Sequence, residues 1–150
     1  MNLVLEILSD QGEYIEKEIE LNVEEDFAID DLNLDAEMCK VGKHLAYYGE
    51  LAAEFKAMAL RKKHEIERHA AQTAINARKA AAAQRDKITE AMVKELIATD
   101  PMYQLRVERW IDAEKASNKL DSFYRSMKSR ADVMIALTYK QRTEIMKNAF

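Results

Sequence analysis

The sequence predicts a mainly α protein: a long antiparallel helical hairpin of about residues 35–85 and 101–147, with a short connecting helix and a small N-terminal β-hairpin, assembling into a homo-oligomer. Three observations predict it. The chain holds only 3 Gly and 1 Pro in 150 residues, too few for a turn-rich fold, while the strong helix formers Ala, Glu, Lys, Leu, Met and Arg abound. Apolar residues recur at alternating steps of three and four through two long stretches, the spacing of a buried helical seam. Ahead of them residues 3–21 alternate with a period of two, the spacing of a half-buried strand.

The first element reads LVLEILSDQGEYIEKEIEL. Leu3, Leu5 and Ile7, then Ile15, Ile19 and Leu21, fall at odd positions with acids on the other face, and Ser-Asp-Gln-Gly at residues 9–12 marks the turn of a β-hairpin. A lone hairpin is marginal in water, so it is expected to pack on the body or on a neighbouring copy. An acidic linker follows from Asn22 to Asp31. The first long helix is expected to start with Asp35 as its cap and Glu37 in its first turn. Its seam runs Met38, Val41, Leu45, Tyr48, Ala52, Phe55, Ala59, Lys62 and Ile66, then fades into the alanine-rich tract before Arg85. Thr89 caps a short helix to about Ile97, and Asp100-Pro101 restarts the chain, because proline suits the first helical position and bends the residue before it away from helix. The last helix carries the seam Leu120, Phe123, Met127, Arg130, Met134, Leu137 and Gln141. Two helices of roughly 70 Å at ~1.5 Å per residue bury only one face of each. Trp110, Ile111, Tyr124, Ile135 and Ile145 are therefore expected to be covered by other copies, with Met127, Met134 and Leu137 part of the same oligomer interface.

Composition excludes several functions. Cys39 is the sole cysteine; it permits no internal disulfide and reads as a small core residue rather than a nucleophile. No apolar run approaches the ~18 residues of a membrane span, and the N-terminus lacks the basic start and small-residue cleavage site of a secretory signal. A cytoplasmic location is expected. His64 and His69 in HEIERH stand five apart, one too many for the zinc signature, and about 140° apart around a helix. No metal, cofactor or catalytic residue is expected, and no enzymatic activity.

Charge is divided sharply. Residues 1–35 carry twelve acids against one base, Lys17, whereas residues 36–150 carry 22 bases against 15 acids. Two domains follow, an acidic N-terminal segment over 1–31 and a helical domain over 32–150. The acidic segment either shields a body that binds polyanions or serves solubility. Within the body, Arg61, Lys62, Lys63, Arg68, Arg78, Lys79, Arg85 and Lys87 follow one another along the first helix, opposed there only by Glu65, Glu67 and Asp86. Nucleic-acid phosphates are the natural partners of such a stripe. On the last helix Lys128 pairs with Asp132 at i, i+4 or joins the stripe. Arg130 occupies a seam position where an unpaired buried charge costs several kcal/mol. It either pairs with Glu50 or Glu54, which a closure near residues 85–100 sets level with it, or faces phosphate.

The runs DLNLDAEMCKVGKHLAYYGELAAEFKAMALRKKHEIE, ITEAMVKELIATDPMY and especially SMKSRADVMIALTYKQRTE resemble the UvsY-type recombination mediators of bacteriophages over about residues 31–145. The most specific part is Lys128-Ser129-Arg130, followed by an apolar run and Arg142. The resemblance implies a ring-like homo-oligomer in the host cytoplasm that binds single-stranded DNA. It would help load a RecA-like recombinase onto DNA covered by single-strand-binding protein, with Arg78, Lys79 and the residues before them at the DNA. The acidic N-terminal segment has no counterpart in that family. The other reading is a structural coiled-coil or scaffolding protein of phage assembly that binds no DNA.

Overall fold

Period-two alternation builds the expected hairpin. Strand β1, Asn2–Leu8, pairs antiparallel with β2, Tyr14–Glu20, in the register Leu3↔Ile19 and Leu5↔Lys17, and Met1 and Leu21 extend the ladder by exchanging backbone bonds of 2.7 and 2.8 Å. A computed structural model describes residues 1–8, 13–28 and 33–148 of the chain. The turn expected at residues 9–12 lies outside them, as do residues 29–32 of the expected linker. The inward face carries Leu5 and Ile19, both buried, and the other face sets Glu18 opposite Val4 and Glu16 opposite Glu6.

The chain divides into two compact units, residues 1–55 with 116–150, and residues 56–115. The acidic segment falls within the first unit.

In the first unit the expected linker is packed. A single helical turn, α1, Val23–Asp26, lies within it. Tyr48 donates to the Asp26 carboxylate at 2.7 Å, and Phe27 sets its ring against Tyr48 and Phe123 at 6.1 and 6.3 Å. Burial and the Asp26 bond push the Tyr48 hydroxyl well above its ordinary value. Helix α2, Leu34–Gln84, starts two positions earlier than Asp35 as its cap would set it. Asn33 is the cap, its side-chain oxygen accepting from the Ala36 backbone at 3.3 Å, which leaves Asp35 and Glu37 in the first turn. The seam residues Val41, Tyr48 and Phe55 are buried as expected, and so is Leu51, off the seam, because Leu5 and Ile19 of the hairpin cover that side. Cys39 is exposed, correcting its core assignment: it stands about 160° around the helix from Val41. From the second long helix, α4, Pro101–Asn148, the seam residues Leu120, Met127 and Met134 complete this core. Gly49 lets α4 come close; a Cβ there would lie 3.1 Å from the Tyr124 ring.

The second unit contains the hairpin's closure. Helix α2 ends in a Schellman arrangement: Arg85 takes φ 58°, its N–H bonding Ala82 O at 3.2 Å, while Asp86 N–H bonds Ala81 O at 2.9 Å. Helix α3, Glu90–Thr99, follows with Thr89 accepting from Met92 N–H at 3.3 Å. It lies beside α2 as the first part of the returning limb, since Arg78 meets Glu90 at 2.9 Å and His69 meets Asp100 at 2.7 Å. The hairpin therefore turns at residues 85–89, and the Asp100-Pro101 break only interrupts the return. Asp100 restarts α4 by accepting from Met102 N–H at 2.8 Å. Further along, Arg106 meets Glu65 at 3.4 Å, and Met58, Ala59, Ile66, Val93 and Ala113 are buried.

Candidate nucleic-acid interface

The basic tract of α2 lies mostly in the second unit's solvent layer. At ~100° per residue, Arg61, Arg68 and Lys79 fall within about 20° of one another. Lys63 and Arg78 form a second row within about 60°, Arg85 lies just past the end of the helix, and the buried Ile66 points away from the first row but stands about 60° from Lys63. Lys63, Arg68, Lys79, Arg85 and Lys87 are exposed and make no hydrogen bond or ion pair among the described residues. Arg61 and Lys62 are half-buried, Lys62 because it sits in the seam. Arg78 reaches Glu90 bidentately, at 2.9 and 3.0 Å, across twelve residues of sequence.

Acids that a helical repeat would assign to this stripe are drawn elsewhere. Glu65 turns to Arg106 of α4, and Glu67 accepts from His64 at 3.2 Å. His69 donates its Nε2 hydrogen to Asp100, whose carboxylate can only accept. The two histidines thus have separate partners, and no group of three or more His, Cys, Asp or Glu among the described residues is arranged to hold a metal ion.

Arg130 is the largest departure from expectation. Its side chain is 9% exposed, and it bonds Asp26 O at 2.8 Å, Ala28 O at 2.6 Å and Glu37 Oε2 at 3.2 Å. Glu37, 4% exposed, is also held by Lys40 at 2.7 Å. Neither Glu50 nor Glu54 takes the arginine. With Gly49 against Tyr124 the two helices of the first unit run in a register that carries residue 130 toward the first turns of α2. As a phosphate ligand Arg130 would have to surrender three bonds; its Nε alone has no partner among the described residues. Lys128 is exposed and unpaired among them, so the expected bridge to Asp132 does not form.

The apolar residues expected at an oligomer interface divide in two. Met127 and Met134, 0% and 1% exposed, are core of their own chain and closed to another copy. Trp110 and Tyr124 are half-buried. Ile111, Leu137 and Ile145 are exposed, and so are Ile135, Tyr139 and Met146. The two backbone carbonyls that hold Arg130 were hidden from sequence reasoning, since a carbonyl leaves no residue-type signal.

No protein-family model, curated protein or solved structure matches the chain.

Proposed function

We propose that the protein binds single-stranded nucleic acid through the basic face of α2 and acts as a recombination mediator, an assembly of copies that helps a RecA-like recombinase onto strands covered by single-strand-binding protein. One observation carries the binding half: five exposed cations, Lys63, Arg68, Lys79, Arg85 and Lys87, stand without protein partners among the described residues while neighbouring acids pair away from them. Lys63, Arg68 and Lys79 stand on α2, and Arg85 and Lys87 continue the run past its end; unpaired cations so spaced match the spaced charges of a phosphate backbone, and each neutralised phosphate releases counterions. Copies joined together multiply such weak contacts into avidity. The mediator half is supported by the sequence resemblance. Arg130 is withdrawn from the contact set, as its bonds hold the acidic segment.

Anisotropy of labelled oligonucleotides across a salt series tests the reading. Five contacts predict a slope of about −3.5 in log K against log salt for a single strand. Lys63→Glu with Arg68→Glu and Lys79→Glu abolishes most of the slope, whereas Arg130→Met leaves it unchanged. Recombinase filament assembly on strands precoated with single-strand-binding protein tests the second half. Absence of oligonucleotide binding at low salt overturns the proposal and favours the scaffolding reading, which the exposed apolar end of α4 supports.

A further inference from the structure

The hairpin and α2 enclose a cleft of about 310 Å³ in the first unit. Its floor is apolar, with Leu5, Ile19 and Leu51 4–8% exposed and Tyr47 beside them at 44%. Glu50, Glu54 and Lys17 line it as well, two carboxylates against one ammonium. The acids lie four apart on one side of the helix, where like charges repel, and neither has a hydrogen-bond or ion-pair partner among the described residues. An apolar floor beside an excess of negative charge suits an apolar side chain carried on a cationic helix.

The end of α4 has that chemistry. Ile135, Tyr139 and Met146 are 52%, 76% and 69% exposed, and with Arg142 they recur at i, i+4, i+7 and i+11, one face of the helix. Lys140 and Lys147 stand about 110–130° around the helix from this face, and Glu144 is the only acid from residue 133 to 147. Helix α2 begins at Leu34, and Arg130 already meets its Glu37, so the last turns of α4 have run past the helix that covers the preceding seam. The cleft of the same copy is out of reach. Tyr124 packs on Gly49, beside Glu50, and Met146 lies 22 residues on, roughly 33 Å along the axis.

We infer that the end of α4 seats in the hairpin cleft of a second copy, Tyr139 on the apolar floor and Arg142 against Glu50 and Glu54. This names the contact of the assembly proposed above and rests on that reading. The contact is heterologous: each copy offers one tail and one cleft, so copies add head to tail until a ring closes.

The test uses two variants of the full chain, one with the cleft reversed (E50K/E54K) and one with the tail reversed (K140E/R142E), both at exposed positions and checked for unchanged helicity. Masses are read by sedimentation at low and high salt. Wild type is expected to assemble, each variant alone to be monomeric with self-association weakened roughly tenfold or more, and their equal mixture to assemble again. Assembly returns because the intact tail meets the intact cleft and the reversed tail meets the reversed cleft with the charges exchanged. If wild type assembles and the variants do too, the assembly stands and this contact is overturned. A monomeric wild type overturns both, and a mixture that stays monomeric overturns the contact.

Discussion

Replacing Arg130 by alanine removes the tie between the acidic segment and the helices. The side chain is 9% exposed, and its guanidinium satisfies the carbonyls of Asp26 and Ala28 besides Glu37. Truncation leaves Glu37, 4% exposed, with Lys40 as its remaining cation, itself 63% exposed, and leaves two carbonyls short of a donor. Removing one partner of a buried pair costs about 3–5 kcal/mol, and each unsatisfied buried carbonyl about 1–3. The neighbouring cavity of about 250 Å³ admits water to this region, which repays part of the loss and sets the expectation at about 3 kcal/mol. For a chain of this size that lowers the melting temperature by about 6–12 °C. Thermal and urea unfolding followed by circular dichroism reads it. Glu37→Gln separates charge from hydrogen bonding, and the pair Arg130→Met with Glu37→Met recovers much of the loss, since well-packed apolar replacements of a buried ion pair are often neutral. A destabilisation below about 0.5 kcal/mol, the range of plain surface substitutions, refutes the buried clasp.

Arg85 holds a left-handed conformation that glycine adopts without strain, so Arg85→Gly raises stability by about 1 kcal/mol in urea unfolding while reducing the salt slope of oligonucleotide binding by about one contact. Gly42 has nothing within 4 Å of an added Cβ, whereas Gly49 faces the Tyr124 ring at 3.1 Å. Gly42→Ala is therefore expected to gain the ~0.8–1.0 kcal/mol of helix propensity, and Gly49→Ala to forfeit it against the ring. The His69 bond, then the Met102 N–H, hold the Asp100 carboxyl below its ordinary value. A carboxyl with a depressed folded pKa stabilises above its unfolded value near ~3.9 and loses that contribution as pH falls through the folded one. Denaturation between neutral pH and pH about 3 is expected to show a steeper acid-side loss for wild type than for Asp100→Asn.

Much of the architecture was legible because it rests on local rules. Thr89 as a cap and Asp100-Pro101 as a restart act within one turn of chain, and both stand where their chemistry puts them. The seam residues Val41, Tyr48, Phe55, Leu120, Met127 and Met134 are buried as their spacing required. What was missed involves partners distant in sequence. Arg130 is spaced 93 residues from Glu37 and more than a hundred from the two carbonyls, and a change in closure of a few residues exchanges one acid for another along the facing helix. The short helix at Val23–Asp26 was missed because four residues are too few to show a period.

By itself the sequence determined that two long helices return on each other, that a period-two segment precedes them, and that positive charge concentrates on the first helix. These follow from propensity, spacing and composition, which every residue carries with it. Only the tertiary structure decided which charges are spent and which remain. Glu65 and Glu67 leave the basic stripe for Arg106 and His64, and Arg130 is consumed in holding down the acidic segment. Glu50 and Glu54, which sequence spacing offered to Arg130, line a cleft with Lys17 instead. The reason is geometric: an ion pair forms within about 4 Å, and the register set by packing within each unit selects which residues come that close.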